Sequence, residues 1–205
     1  MMPPDKVIRG NEPLVWPNGL CCGVDEAGRG PLAGPVFAAA VILDQERIPQ
    51  GLKDSKKIPE PRRIDLEGRI KTVAMAWSVA NASVQEIDEL NILQATLLAM
   101  RRAVEALVLV PEVILVDGLF CPNVAGHRMA VVKGDQRVLE ISAASILAKT
   151  ARDRWMLSLS DQWPQYQFER HKGYPTPLHL KLLAQHGPCP HHRQSFGPVR
   201  DCSCP

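Results

Sequence analysis

Four acidic positions carry the strongest chemical signal in the chain. Asp25 and Glu26 close an apolar run that begins at Leu20, Asp117 closes a second run, Val113 to Val116, and Asp153 lies within a helical pattern. A single acid at a strand end is ordinarily a turn former or a cap. Three such places that converge are harder to explain that way, because packed carboxylates cannot all stay ionised without a counter-charge. Divalent cations supply one, and an all-oxygen donor set selects Mg2+ or Mn2+ over zinc. Two such ions about 3.5–4 Å apart clamp the attacking water and the leaving oxygen of a phosphodiester. The chemistry expected of these residues is metal-assisted phosphodiester hydrolysis.

Two other patterns suggest chemistry and do not sustain it. Gly28-Arg29-Gly30, followed by Gly34, resembles a dinucleotide loop, but that motif requires a helix directly after the glycines, and here Pro31, Pro35 and an apolar run follow. Glycines at these positions better serve close backbone approach to a ligand. Cys189, His191, His192, Cys202 and Cys204 suggest zinc, but the pairs lack C-x2–4-C partnering and read as a flexible tail with incidental thiols.

The elements that must position the acids follow from hydrophobic patterning. Leu20 to Asp25 and Val36 to Leu43 read as strands, and Val73 to Ala80 is a third strand candidate whose imperfect alternation leaves a helix as the alternative. Ser83, with Glu86 three residues on, forms a capping box. The helix after it divides near Asn91, and its second part carries Leu93, Thr96, Met100, Ala103, Val104 and Leu107 on one face, ending before Pro111. Val113 to Val116 and Met129 to Val132 are further strands, Glu140 to Leu159 is a long helix and Pro177 to His186 a short one. On the long helix Ser142, Ser145, Lys149 and Asp153 are spaced three, four and four apart and share a face. Strands first, then alternating strands and helices, describe an α/β protein with a mixed sheet. Strand ends in such sheets are where sites assemble.

Bulk properties bound the rest. The 205 residues are 45% hydrophobic and 22% charged, enough for a real core, and the formal net charge is only +2, so any basic surface must come from local placement. No apolar run approaches the roughly 18–20 residues of a membrane span, and residues 1–19 lack a secretory core, so a cytoplasmic protein with free thiols is expected. Cys21 and Cys22 read as small core residues.

Gly23-Val24-Asp25-Glu26-Ala27-Gly28-Arg29-Gly30-Pro31-Leu32-Ala33-Gly34-Pro35 resembles the signature of the ribonuclease HII family. The resemblance continues in order through Leu52 to Lys57, Glu86 to Ile92, Val116-Asp117-Gly118, Val132 to Asp135, Glu140 to Lys149, Ala151-Arg152-Asp153, His171 to Thr176 and Ser195 to Val199. It implies a ribonuclease H-like fold, with a five-stranded mixed sheet flanked by helices and a small C-terminal helical segment. Residues 1–19 would be a flexible extension and 20–205 the catalytic domain, and a monomer is expected. It further implies an endonuclease that cuts the RNA strand of RNA–DNA hybrids and DNA duplexes 5′ of embedded ribonucleotides, leaving 5′-phosphate and 3′-hydroxyl ends. Carried over, Asp25, Glu26, Asp117 and Asp153 are the catalytic and metal-binding acids for Mn2+ or Mg2+. Gly28-Arg29-Gly30 is the loop that meets the ribose, and Tyr174 senses the RNA-to-DNA junction. Lys53, Lys56, Lys133, Ser142, Ser145 and Lys149 are candidate phosphate contacts, against the plainer reading of solvated polar side chains. A binding module with a decayed site is disfavoured by the intact acids. An integrase or resolvase would not need Gly28-Arg29-Gly30 together with Tyr174.

Overall fold

A computed structural model describes residues 4–15, 17–52 and 58–202. The chain forms β1 (Lys6–Ile8), β2 (Cys21–Ala27), β3 (Val36–Ile42), α1 (Glu60–Val73), β4 (Ala76–Ala82), α2 (Val84–Leu90), α3 (Ile92–Glu105), β5 (Val113–Asp117), β6 (His127–Val131), α4 (Leu139–Gln162), α5 (Phe168–His171), α6 (Pro177–His186) and α7 (Gly197–Cys202). Sheet order is β1-β6-β5-β2-β3-β4. The β2–β3–β4 meander is antiparallel, whereas β2, β5, β6 and β1 run parallel. A hairpin can join the first kind and only crossovers the second.

The sheet has six strands, not five. The sixth, β1, lies within the stretch expected to be a flexible extension and pairs Lys6–Ile8 with Met129–Val131. Three residues are too few for alternation to register in the sequence. The helix α1 was likewise not anticipated. It buries only Leu66, Glu67 and Ile70, so it lacks the apolar stripe that marks a helix in sequence. The strand expected at Val73 to Ala80 begins three residues later as β4, because α1 runs through Val73.

Elsewhere local chemistry does what the residues dictate. Ser83 and Glu86 close a reciprocal capping box. Asn91, at φ 70°, breaks the helix and caps α3 through Leu93 and Gln94 N–H. The face of α3 bearing Met100, Ala103 and Val104 packs with Cys22, Val24, Ile114 and Val116 on one side of the sheet. The other side is covered by α4, whose Ala143, Ala144 and Ala148 are fully buried. Small residues let this helix lie close, and Gly23 lets it lie closer: a Cβ there would sit 2.1 Å from the Glu140 carbonyl carbon. Backbone cannot yield as a side chain end can. Gly23→Ala should therefore cost about 1–3 kcal/mol, the range for overpacking, in urea unfolding. A stability equal to the parent's would show that α4 can slide.

The C-terminal layer packs on α4 through Met156, Leu159, Tyr166, Phe168 and Cys189. Cys189 and His192 are buried there, 3% and 1% exposed, rather than carried on a flexible tail. Aromatic packing around them explains the difference. Among the described residues of this layer no group of three His, Cys, Asp or Glu side chains is gathered as zinc would need, and among all the described residues no helix is long and apolar enough to cross a membrane.

Candidate active site

Strands β2 and β5 are parallel neighbours with Val24 opposite Val116, so Asp25 and Asp117 are the next residues along each strand at the same sheet edge. Both fall on the face covered by α4, following Gly23 and Leu115 at the strand period of two. Glu26 comes next at the strand end, and Asp153, buried on α4, is tied to Arg63 and Lys149, which line a cleft with Glu26.

Asp25 is 2% exposed. Its Oδ1 accepts the Glu26 N–H at 2.7 Å, while Oδ2 is buried without a hydrogen-bond partner. Burial, then Glu26, then Asp117 push its pKa well above the ordinary carboxylate range, with Ser145 opposing. An orphaned, buried acid oxygen among further acids is a site short of positive charge. Asp117 Oδ1 accepts the Gly134 N–H at 2.6 Å, which fixes that carboxylate from the turn after β6.

Asp153 is satisfied differently. Arg63 Nη2 donates to Oδ2 at 2.9 Å and Lys149 Nζ to Oδ1 at 2.6 Å. Two cations thus occupy the acid furthest along α4. The donor set is all oxygen, which suits Mg2+ or Mn2+, and the bare Asp25 oxygen fits a cation. Asp153 would have to share its oxygens with Lys149 and Arg63.

A cleft of about 360 Å3 opens beside the acids, lined by Glu26, Gly28, Arg29, Gly30, Arg63, Ser145, Lys149 and Tyr174. Arg29 is exposed and stands 3.7 Å from Glu26. Tyr174 is 39% exposed, with Lys149 and Arg152 at 5.9 and 5.7 Å from its ring centroid. The remaining sequence candidates distribute unevenly. Ser145 and Lys149 face the cleft, but Ser142 is buried and its hydroxyl donates to the Leu52 carbonyl, away from any substrate. The face the helix offers is narrower than the spacing suggests because its first turns are covered. Lys133 is exposed in a left-handed conformation just before Gly134. Lys53 and Lys56 lie outside the described residues.

The sequence assigns no role to Arg63, Arg152, Arg193 or His179, and it offers His192 only as a zinc candidate. Arg63 holds Asp153 from α1. Arg152 and Arg193 are fully buried behind the Gly28–Gly34 loop. Burial pushes both guanidinium pKa values down, to about 10 for Arg152 and about 9 for Arg193, which leaves them cationic at neutral pH. Gly28 has φ +103°, and a Cβ there would meet Arg152 Nε at 2.2 Å. Behind Tyr174, the Cys189 N–H donates to His192 Nδ1 at 3.0 Å, so His192 carries its proton on Nε2. That proton goes to His179 Nε2 at 3.1 Å, and His179 Nδ1–H donates to the Tyr174 carbonyl at 3.0 Å. A line of neutral imidazoles therefore anchors the Tyr174 backbone. No sequence signal marks a buried arginine or a satisfied histidine apart from an exposed one.

Comparison with known proteins gives a consistent result. Residues 22–199 match the family described as Ribonuclease HII. A protein named Ribonuclease HII from Dechloromonas aromatica (strain RCB) is 60% identical over 186 residues, 91% of this chain and 95% of that protein. One of the same name from Janthinobacterium sp. (strain Marseille) is 59% identical over 181 residues, 88% of this chain and 86% of that one. Among solved structures, the ribonuclease H2 of Pyrococcus horikoshii OT3 superposes with a TM-score of 0.73 at 27% identity, covering 89% of this chain and 96% of that one.

Proposed function

The chain belongs to the ribonuclease HII family of metal-dependent nucleases, and from that premise we propose that it cuts the RNA strand of RNA–DNA hybrids and also DNA duplexes 5′ of a single embedded ribonucleotide. The observation that carries the reading is the buried Asp25 oxygen without a hydrogen-bond partner, next to Glu26, which lines a cleft together with Gly28-Arg29-Gly30 and Tyr174.

Asp25, Glu26, Asp117 and Asp153 would hold Mn2+ or Mg2+, two ions when substrate is bound. The chemistry such cations would supply when bound is neutralisation of charge at the scissile phosphate and activation of the attacking water. The chain's own residues do the positioning. Lys149 and Arg63, which neutralise Asp153 in the free protein, are placed to meet the negative charge that substrate brings. Backbone groups of Gly28-Arg29-Gly30 meet the ribose 2′-hydroxyl, which both donates and accepts. The Tyr174 ring stacks on the sugar 3′ of the cut, where a deoxyribose fits better than a ribose.

The experiment is cleavage of a duplex bearing one ribonucleotide against an all-RNA strand paired with DNA. The Tyr174 hydroxyl would meet the 2′-hydroxyl of the ribonucleotide, and Tyr174→Phe should lose that hydrogen bond alone, about 0.5–1.5 kcal/mol. Tyr174→Ala should lose the stacking as well, and with it most of the preference for the embedded ribonucleotide. A native ratio of specificity constants in Tyr174→Ala, with folding checked, would move junction sensing away from this ring.

A further inference from the structure

Arg193 donates to four backbone carbonyls of one loop. Nε reaches Gly34 O at 2.9 Å, Nη1 reaches Arg29 O at 3.0 Å, and Nη2 reaches Gly28 O at 2.6 Å, Gly34 O at 2.7 Å and Pro35 O at 3.3 Å. The side chain is 0% exposed. Among the described residues it forms no ion pair; the nearby Asp88 carboxylate is taken by Gln194 and Ser195. A buried cation whose hydrogen bonds all go to carbonyls is costly unless most of its donors are used; the planar fork of arginine can use them, and the Phe196 ring centroid lies 5.1 Å from the guanidinium carbon.

The peptide plane carries the consequence. In a trans peptide the carbonyl and the following N–H point in opposite directions, and the chain has no cis peptide among the described residues. The Gly28 carbonyl shares its plane with the Arg29 N–H, and the Arg29 carbonyl with the Gly30 N–H. Both carbonyls point inward at Arg193, so both N–H groups point outward. Neither donates to a protein acceptor among the described residues. Arg29 and Gly30 line the cleft, and Gly30 faces the Tyr174 ring.

We propose that Arg193 is a positioning residue for substrate recognition: by gathering the Gly28 and Arg29 carbonyls it turns the Arg29 and Gly30 N–H groups into a fixed donor pair facing the cleft. Two convergent N–H donors suit an oxygen acceptor on the substrate, a sugar hydroxyl or a phosphate. The inference rests on the reading above that this loop meets the ribonucleotide. It adds that the loop's polarity is set by a residue more than one hundred and fifty positions later, on the segment that also bridges Ala33 to His192.

The test uses the full chain as wild type, Arg193→Lys and Arg193→Met, each checked by thermal melting. Lysine keeps the charge but has no planar fork. In 15N spectra of the free proteins, the Arg29 and Gly30 amide resonances should move in both variants. The specificity constant on a duplex with one ribonucleotide should fall about 100-fold, mostly through kcat, as misplacement near 1 Å does. Affinity for the all-DNA duplex of the same sequence should fall far less than turnover does, since the phosphate contacts of the other residues remain. A folded Arg193→Lys protein that keeps both resonances and cuts at the native rate overturns the proposal. So does a loss of DNA affinity equal to the loss of turnover, which marks general disruption. The spectra need no substrate, so a wild-type protein unable to cut the embedded ribonucleotide would sink the functional reading while Arg193 is still judged from the resonances. If neither variant folds, hydrogen exchange in the wild type decides: unprotected Arg29 and Gly30 amides support the outward donors, and protected ones overturn them.

Discussion

Asp25→Asn should stop turnover and raise the melting temperature in the same protein. The amide keeps the side chain's size and can still accept the Glu26 N–H. It removes the charge that a divalent ion needs, and loss of one preorganised electrostatic group costs about 10²–10³ in rate or more. The stability change has the opposite sign. Burial, Glu26 and Asp117 raise the pKa of Asp25 in the folded state. The fold therefore holds that proton more tightly than the unfolded chain, and its contribution is full at low pH and lost as pH rises through the folded value. Above the pH at which the unfolded carboxyl ionises, Asp25 works against folding, either as a buried charge or by holding a proton the unfolded chain gives up, and asparagine relieves it. A gain of about 1 kcal/mol moves a chain of this size by roughly 2–4 °C. The check is a pair of measurements on one preparation, cleavage under saturating Mn2+ and a melt in chelator. Near-native turnover would refute the metal role, and a lower melting temperature would refute the account of the buried charge.

Acid should loosen the C-terminal layer before it touches the sheet. His179 and His192 are 0% and 1% exposed, and burial lowers their pKa values to about 4 and about 3. The unfolded chain binds protons to these rings below about 6.5 while the fold does not, so stability is full above that pH and declines as pH falls toward 4. Each ring that stays neutral costs ~1.4 kcal/mol per pH unit in this window, on the order of 3 kcal/mol by its lower end. Imidazole 15N spectra should show His192 protonated on Nε2 and His179 on Nδ1 down to about pH 5, where unfolding competes. A ring that titrates near its ordinary value in the folded protein would break this account. Because His179 holds the Tyr174 carbonyl, preference between the two substrate types should weaken on the same acid limb.

What the sequence discloses and what it hides divide along a physical line. Local signals speak for themselves: Ser83 with Glu86, Asn91 as a breaking cap, and the apolar runs of β2, β3 and β5. Asp25 and Asp117 were legible as a pair because acids closing two separate buried strands are harder to explain as turn formers than one acid is, and the structure sets those strands side by side. The residues that hold those acids and loops were not. Arg63, Arg152 and Arg193 have the composition of surface charges, and only the fold buries them. Ser142 illustrates the converse, since helical spacing gives it the same face as Lys149 while the packing of Leu52 covers it. Edge strand β1 and the sparsely buried α1 fail for want of periodicity.

The pairing of β1 with β6 also sets an order of events. Asp5 caps Arg128 across 123 positions of chain, and Lys6–Ile8 find their partners only at Met129–Val131. On a ribosome the first strand must wait, unpaired, until more than half the protein has emerged. Its contribution is three residues of ladder against a long loop closure, so it is the last strand to join and the first to leave. When it leaves, β6 becomes a bare edge able to pair with another chain. Native-state exchange should find the Ile8 and Val132 amides opening well below the global unfolding energy, and aggregation of this protein should begin from that opening rather than from complete unfolding.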